Sequence, residues 1–204
     1  MKRNPFLTLI VVGVPGVGKT TVLNNLVKLA EYEGIKIRVV NLGDYMFKAA
    51  REKGLVSHRD ELRKLELRKQ LELQGHAAKL IIQDSLSRLD EKSVLIVDTH
   101  AIIRTTTGYW PGLPKHVIEE LSPDAIIIIE APIEDIISRQ LRDKTRYRSD
   151  FARKEVIEEL ILFTRIAAIS SATFTASSVK TVLNLEGKPE EAAREILEVI
   201  KKLR

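Results

Sequence analysis

Five short apolar runs give the chain its main pattern. They cover residues 7–12, 36–40, 94–97, 125–129 and 179–183, are rich in Val or Ile, and do not alternate cleanly with polar positions. Such runs are typical of strands that are covered on both faces, as in a parallel sheet between helical layers. The pattern therefore predicts a five-stranded parallel sheet.

Segments with helical periodicity lie between the apolar runs. Three sets of apolar residues recur at helical spacing: Leu67, Leu71, Ala78, Ile82, Leu86 and Leu89; Val156, Leu160, Phe163 and Ala167; and Ala192, Ile196 and Ile200. Strands alternating with helices predict one α/β domain with right-handed crossovers. Residues 41–93 and 139–153 exceed what a simple crossover needs, so we expect them to cover a site at the strand ends.

Composition narrows the class of protein. The 204 residues are 44% apolar and 30% charged, with a formal net charge of +5, which fits a soluble protein that handles small polyanions or simply has a basic surface. The chain has no cysteine, which excludes disulfides, a cysteine nucleophile and a cysteine-ligated zinc. Few Asn and Gln residues beside many Lys, Glu, Arg and Ile suggest a thermophilic source. The first apolar run is too short for a membrane span, and we expect a cytoplasmic protein.

A phosphate-binding loop follows the first run. The sequence matches G-x-x-x-x-G-K-[ST] at every fixed position, with Gly13, Val14, Pro15, Gly16, Val17, Gly18, Lys19 and Thr20. Glycines let successive backbone N–H groups surround a phosphate, and the helix predicted to begin at Thr21 adds its N-terminal dipole. Lys19 can reach the β- and γ-phosphates of ATP, and the Thr20 hydroxyl can bind Mg²⁺. We count Thr21 with the ATP-binding residues.

A carboxylate after the third run fits the same chemistry. Asp98 ends an apolar strand, as expected for the acidic partner of a magnesium ion held with ATP, although a strand-end cap would look the same. The guanine-specific N-K-x-D sequence is absent, which argues against a GTPase.

Two basic clusters lie in the long connections. Residues 139–153 carry Arg139, Arg142, Arg146, Arg148 and Arg153, a set suited to a lid over a transferring phosphoryl group. A solvated helix end or a nucleic-acid patch is the alternative, but the cluster has one aromatic, Tyr147, which gives no platform for base stacking. In the other connection, Arg59 and Arg63 could clamp one phosphate, or could pair locally with Asp60 and Glu61.

These motifs together resemble the archaeal adenylate kinases over nearly the whole chain. The resemblance rests on the phosphate loop, on Asn41-Leu42-Gly43-Asp44, on Arg59 to Leu65, on Asp98-Thr99-His100, on Gly108-Tyr109-Trp110-Pro111-Gly112-Leu113-Pro114, and on Arg142 to Asp150. The Asp-Thr-His segment followed by Gly-Tyr-x-Pro-Gly-Leu-Pro is the more specific part. The phosphate loop alone is shared with many other enzymes.

The resemblance implies a P-loop kinase fold with three parts. The three parts are a core of residues 1–42, 92–138 and 154–204, a helical acceptor-binding region of about residues 43–75, and a short lid of about residues 139–153. It also implies roles for named residues. Gly43, Asp44, Arg59, Arg63 and Arg104 would bind AMP; Arg142, Arg146, Arg148 and Arg165 would surround the transferring phosphate, with Arg142 also binding ATP; Gly187 and Pro189 would border the adenine of ATP.

The expected activity is phosphoryl transfer from Mg·ATP to AMP, giving two ADP. Bacterial relatives carry an arginine soon after the Gly-Asp pair, where this chain has Phe47 and Lys48, so Arg59 or Arg63 would hold the acceptor phosphate. The resemblance implies a homotrimer. The motifs predict Mg²⁺ bound with ATP, and the lack of cysteine excludes the four-ligand zinc lid of bacterial relatives. The short first run and the single aromatic of the basic cluster predict no membrane and no nucleic-acid partner. Two alternatives stay open: a kinase for another nucleoside monophosphate or small metabolite, and a P-loop ATPase that acts as a switch on RNA or the ribosome.

Overall fold

A five-stranded parallel sheet forms the centre of the protein. The computed structural model describes residues 2–105, 107–142 and 153–204, leaving aside the side chains of residues 60 and 63. The strands are β1 (Leu7–Val12), β2 (Ile37–Asn41), β3 (Val94–Asp98), β4 (Ile102–Thr105), β5 (Gly108–Pro111), β6 (Ala125–Glu130) and β7 (Ser178–Leu183). The sheet has the order β2-β3-β1-β6-β7, all pairs being parallel, and β4 pairs with β5 alone. The predicted fold class is confirmed.

Helices cover both faces of the sheet. They are α1 (Lys19–Tyr32), α2 (Leu42–Glu52), a 3₁₀ helix (Arg59–Lys64), α3 (Leu67–Leu86), α4 (Lys115–Leu121), α5 (Ile133–Arg142), α6 (Lys154–Thr175) and α7 (Pro189–Leu203). None of the helices in the described ranges is both long enough and apolar enough to span a membrane.

Alternate side chains of the strands build two separate cores. Leu9 and Val11 of β1 pack in one cluster with residues of α1, α5 and α7, whereas Ile10 and Val12 pack in the other with residues of α2, α3 and α4. This alternation is the two-residue period of a strand with both faces buried. Helix α6 contributes to both clusters, with Leu160 in the first and Ala168 in the second.

A third, smaller core lies within the long connection after β2. It contains Ala49, Ala50, Val56, Leu62 and Leu73, contributed by α2, the 3₁₀ helix, α3 and the segment between them. A local core of this kind lets the segment hold its own shape beside the sheet.

Strand β7 differs from the sequence-based expectation of burial on both faces. Val182 is buried, while the remaining residues of the strand are exposed. The reason is position, because in the described part of the chain β7 is the edge strand and pairs with β6 on one side only. Local sequence does not distinguish an edge strand of this kind from a central one.

The buried face of α6 is also shifted from the predicted stripe. Leu160 is buried as expected, but Phe163 and Ala167 are only half-buried, and the fully covered positions include Thr164 and Ala168. Helix α6 contacts α4, α5, β4, β6 and β7, so several neighbours with different directions decide its buried face. Ser171 can be buried there because its hydroxyl donates a hydrogen bond to the Leu113 carbonyl oxygen at 2.9 Å.

The hairpin of β4 and β5 was not predicted from the sequence. It pairs Ile103 with Trp110 and Arg104 with Tyr109. The Tyr109 ring meets Phe163 of α6 edge-on, with 4.8 Å between ring centroids, and its hydroxyl donates a hydrogen bond to Glu159. These contacts hold the hairpin, which carries Arg104, against α6.

A polar network ties the start of α2 to the end of α3. The Asp84 carboxylate accepts hydrogen bonds from Arg38, from the Tyr45 hydroxyl at 2.5 Å and from Arg88 at 2.7 Å. The hydrogen bonds from Tyr45 and Arg88 lower the pKa of Asp84 from 3.8 to about 2. The network therefore closes both ends of the connection that carries the third core.

We expect Asp84→Asn to lower the melting temperature at pH 7 by about 2–4 °C, the shift typical of a partly exposed charge network in a chain of this size. A carboxylate whose folded pKa is depressed stabilises the protein above its unfolded pKa, and this stabilisation is lost as the pH falls through the folded value. The difference between variant and wild type should therefore shrink between pH 4 and pH 2. Thermal unfolding followed by circular dichroism measures it, with the exposed Glu52→Gln as control. A difference in melting temperature that did not change with pH would contradict the stabilising role of the ionised Asp84 carboxylate.

Candidate active site

The phosphate loop connects β1 to α1, as the sequence predicts. Gly16 and Gly18 have φ of 95° and 87°, the left-handed region that only glycine enters without strain. Helix α1 begins at Lys19, directly after the loop, so its first N–H groups have no partners within the helix. The loop and this helix end together form a cradle for an anion.

Lys19 and Asp98 meet at this cradle. The Lys19 ammonium group donates a hydrogen bond to the Gly13 carbonyl oxygen at 3.2 Å and lies 3.8 Å from Oδ1 of Asp98. Register explains the meeting, because Val11 near the end of β1 pairs with Asp98 at the end of β3. Two residues predicted separately, from the loop motif and from the strand end, are therefore neighbours.

The carboxylate of Asp98 has an oxygen suited to a metal shell. Its Oδ1 atom is buried and has no hydrogen-bond partner among the residues that the structure describes, although the Lys19 ammonium group lies 3.8 Å away. Mg²⁺ is commonly held by one or two carboxylates together with substrate phosphates and water, and Thr20, exposed in the first turn of α1, adds a hydroxyl beside the loop. These residues fit a magnesium ion that binds with a nucleotide. No group of three or more His, Cys, Asp or Glu side chains in the described ranges could hold a metal ion by itself.

The predicted acceptor residues gather at the start of α2. Arg59 donates hydrogen bonds to Asp44 and, at 2.9 Å, to Oδ1 of Asn41. A Cβ atom at Gly43 would lie 2.8 Å from the Arg59 guanidinium, so a larger residue there would displace the guanidinium from this position. The geometry brings Gly43, Asp44 and Arg59 into one cluster beside the end of β2.

Asn41 joins the acceptor cluster to the phosphate loop and was not predicted as a site residue. Its Nδ2 donates to Oδ2 of Asp98 at 2.9 Å, while its Oδ1 accepts from Arg59 and from the backbone N–H of Asp44. Asn41 also caps α2. The sequence signal was available, since Asn41 ends one strand as Asp98 ends another, but their adjacency depends on β2 pairing with β3.

Of the two other predicted acceptor residues, one lies on the same 3₁₀ helix as Arg59 and the other lies on β4. Arg63 belongs to the same 3₁₀ helix as Arg59, but its side chain lies outside the described part of the structure. Arg104 is exposed on β4, opposite Tyr109.

Two of the lid-side arginines, Arg139 and Arg142, converge on Glu186, which follows β7. Arg139 binds the Glu186 carboxylate through Nε at 2.9 Å, and Arg142 reaches its other oxygen at 3.4 Å. The hydrogen bond from Arg139 lowers the pKa of Glu186 below its usual value. Arg146 and Arg148 lie outside the described residues. Gly187, with φ of 74°, follows Glu186, and Pro189 is the first residue of α7.

Arg165 on α6 is held by Glu130 at the end of β6. Its Nε donates to Oε1 of Glu130 at 2.6 Å, and its NH2 group donates to Oε2, so the pair is bidentate. Glu130 is buried, and its hydrogen bond raises the pKa of the Arg165 guanidinium. Sequence analysis did not single out Glu130 or Glu186, because a lone Glu after a strand carries no distinctive spacing.

The fold and the site together define the class of this protein, which is one that handles nucleotides. A parallel sheet in the order β2-β3-β1-β6-β7, with a phosphate loop after β1 and a carboxylate after β3, is the arrangement of a P-loop kinase. Solved structures agree on the fold. A shikimate kinase from Acinetobacter baumannii in complex with shikimate has a TM-score of 0.56 at 17% identity, with 97% of this chain and 94% of that chain covered. A shikimate kinase from Bacteroides thetaiotaomicron has a TM-score of 0.52 at 14% identity, covering 96% and 98%.

Sequence comparisons give the family. Residues 12–158 match the family model described as an AAA domain. Adenylate kinase of Saccharolobus solfataricus is 50% identical over 188 residues, which is 92% of this chain and 96% of that protein. Adenylate kinases of Methanocaldococcus jannaschii and Methanopyrus kandleri are 43% and 44% identical, covering 94% and 96% of this chain and 97% and 98% of theirs. The chain belongs to the adenylate kinase family of nucleoside monophosphate kinases, within the broader AAA-domain group. The predicted family resemblance is confirmed.

Proposed function

We propose that the protein transfers the γ-phosphoryl group of Mg·ATP to AMP, reversibly, giving two ADP, and that it does so in the cytoplasm. Relatives that are named adenylate kinases and match nearly the whole chain support ATP and AMP as the substrate pair. The observation that carries the proposal is a continuous set of contacts from Lys19 through Asp98 and Asn41 to Arg59. It joins a donor-phosphate cradle to a cluster of acceptor-side residues.

The proposed reaction is an in-line displacement. An oxygen of the AMP phosphate forms a bond to the γ-phosphorus of ATP, and the bond from that phosphorus to the β–γ bridging oxygen breaks, so the electron pair leaves with ADP. The attacking oxygen is already anionic and needs no general base. The protein therefore has two tasks, which are to align the two nucleotides and to neutralise the charge on the transferring group.

Cationic side chains around the cradle would supply that neutralisation. Lys19 would bind the β- and γ-phosphate oxygens, and Arg142 and Arg165 would approach the γ-phosphate from the lid side together with Arg146 and Arg148. Arg142 is 65% exposed beside Glu186, so it can exchange that carboxylate for a phosphate without breaking a buried contact. Arg165 is preoriented by Glu130.

The magnesium site proposed here consists of Thr20 and Asp98 beside the loop. The ion, when bound with ATP, neutralises charge on the β- and γ-oxygens. The Oδ1 atom of Asp98 lies near Lys19 but accepts no hydrogen bond from the described residues, which supports its role in that shell, either directly or through water. Asn41 would keep the other carboxylate oxygen in place.

Two segments are proposed to close over the substrates. Residues 43–75 contain the third core and so can move as a unit, and residues 139–153 would form the lid. Closure would exclude water, which would otherwise take the phosphoryl group and waste ATP. ATP would lie along the phosphate loop with its adenine near Gly187 and Pro189, and AMP near Gly43, Asp44, Arg59, Arg63 and Arg104.

A homotrimer is the proposed assembly, and an apolar stripe on α6 supports contact between copies of the chain. Leu162, Ile166 and Ile169 recur at steps of four and three and are each about half exposed. Exposed apolar rows of this kind mark association surfaces. We expect Ile166→Glu to convert trimers to monomers in sedimentation experiments, whereas Tyr32→Glu, the same change at an exposed residue of α1, should leave the trimer intact. A wild-type protein with the mass of one chain would contradict the proposal.

Acceptor specificity gives the direct test of the function. The protein would be incubated with Mg·ATP and, separately, AMP, CMP, UMP, GMP or water, and the diphosphates formed would be quantified by chromatography. Fast formation of two ADP per ATP with AMP alone supports the proposal. Faster transfer to another monophosphate would reassign the acceptor, and equal ADP release with and without AMP would make the protein an ATPase.

A further inference from the structure

Two carbonyl groups of the phosphate loop are held by side chains from distant segments. Gln140 on α5 donates its Nε2 to the Pro15 carbonyl oxygen at 2.6 Å. Asn184, directly after β7, donates its Nδ2 to the Val17 carbonyl oxygen at 2.7 Å, and Arg139 donates to the same oxygen at 3.1 Å.

Holding these carbonyls has a direct consequence for the loop amides. In a trans peptide the C=O and the following N–H point in opposite directions. The Pro15 carbonyl shares its peptide unit with the N–H of Gly16, and the Val17 carbonyl shares one with the N–H of Gly18. Each side-chain hydrogen bond therefore fixes the direction of a glycine N–H group in the loop that is built to surround a phosphate.

The two amide side chains are buried at an energetic cost. Gln140 and Asn184 are 4% and 3% exposed, and within residues 2–105, 107–142 and 153–204 the buried amide oxygen of each has no hydrogen-bond partner. Their orientation is fixed, because turning either amide over would place its oxygen against a carbonyl oxygen. Burying an amide oxygen without a hydrogen bond is unfavourable. The amide N–H groups that face the loop are therefore what these two side chains contribute.

The surrounding packing leaves little freedom for the loop. A Cβ atom at Gly16 would lie 3.0 Å from Cγ of Gln140, and one at Gly18 would lie 2.5 Å from Nδ2 of Asn184. The two side chains thus press against the glycine backbone itself. Gln140 comes from the last turn of α5, where the proposed lid begins, and Asn184 comes from the segment between β7 and Gly187.

We propose that Gln140 and Asn184 are positioning residues for ATP binding, which aim the N–H groups of Gly16 and Gly18 at the nucleotide phosphates. The proposal rests on the ATP site proposed above. It extends the donor site to two neutral side chains that do not touch the nucleotide, and it predicts effects on ATP and not on AMP.

The variant Gln140→Glu tests the proposal because it keeps the size of the side chain and replaces the donor with an acceptor. Binding of ATP alone and of AMP alone would be measured by calorimetry from pH 5 to pH 8, as the ratio of the variant to the wild-type dissociation constant at each pH. At pH 8 we expect ATP binding to weaken about a hundredfold, since a carboxylate would face the carbonyl oxygen, and AMP binding to change less than about twofold. Burial raises the pKa of the introduced carboxyl, so protonation should restore a donor and much of the ATP affinity near pH 5.

Two other variants separate positioning from general damage. Gln140→Met removes the donor without adding charge and should weaken ATP binding about tenfold at every pH. Asn184→Asp should have a smaller effect than Gln140→Glu, because Arg139 also donates to the Val17 carbonyl. Gln83→Glu, an exposed position on α3, is the matched control and should bind both nucleotides normally. Thermal unfolding of each variant checks the fold.

Several outcomes would overturn the positioning role. ATP binding within twofold of wild type in both Gln140 variants would do so, and so would equal losses of ATP and AMP affinity. A loss in Gln140→Glu that did not recover at low pH would also contradict it. If Gln140→Glu does not fold, Gln140→Met carries the same test. A wild-type protein that bound no ATP would overturn the donor site itself, and the positioning role with it.

Discussion

Replacing Lys19 with methionine is expected to lower kcat for ADP formation about a thousandfold, because a fixed charge aimed at the transferring group stabilises the transition state more than the ground state. Methionine retains much of the length and apolar packing of lysine but provides no positive charge. In the structure the Lys19 ammonium group lies between the Gly13 carbonyl oxygen and Asp98, at the mouth of the phosphate loop. Steady-state formation of ADP from saturating Mg·ATP and AMP measures the effect.

A matched control lies on the same helix. Lys28 is exposed on α1, so Lys28→Met removes an equal charge away from the loop and should leave kcat within twofold of wild type. A Lys19→Met protein that retained more than about a tenth of wild-type kcat would remove Lys19 from the catalytic assignment. Unchanged melting temperatures in both variants would show that the loss is chemical and not structural.

The second large effect is expected for Arg59→Ala, which should raise the KM for AMP about 10- to 100-fold, the size typical of a lost charge-assisted hydrogen bond, and leave the KM for ATP nearly unchanged. Arg59 contacts Asp44 and Asn41 at the start of α2, where the acceptor phosphate is proposed to bind. These contacts hold the guanidinium in place. Initial rates with each nucleotide varied in turn separate the two constants.

Arg51→Ala provides the comparison for Arg59, since Arg51 is an exposed arginine in the last turn of α2. It should leave both KM values within twofold of wild type. Equal increases in the KM for AMP and for ATP after Arg59→Ala would remove Arg59 from the acceptor site. Arg63 would then be the remaining candidate on the 3₁₀ helix.

Local sequence determined the strands, the loop and the family. Val- and Ile-rich runs predicted all five strands of the main sheet. For β1, β3 and β6 the reason is that both faces are covered, which favours apolar side chains along the whole strand. The phosphate loop was equally easy to identify from the sequence, since its glycines and its lysine lie within eight residues. Asp98 was singled out from its place at a strand end, and the structure places it beside Lys19.

Other features depend on contacts between residues far apart in the chain. The exposure of β7 follows from its place at the edge of the sheet, and the buried face of α6 follows from neighbours in several directions. The hairpin of β4 and β5 was missed because its two four-residue strands gain their position from packing of Tyr109 against α6.

The site shows the same division between local pattern and tertiary structure. The sequence by itself determined which residues could bind phosphate, because a backbone cradle and its lysine are encoded within a few adjacent positions. Only the tertiary structure decided that Gln140 and Asn184 hold that cradle from 125 and 167 residues away, and that Asn41 bridges Asp98 and Arg59. The physical reason is that a side-chain amide has no local signature of function, and its partner is fixed only when the crossovers bring distant strand and helix ends to one edge of the sheet.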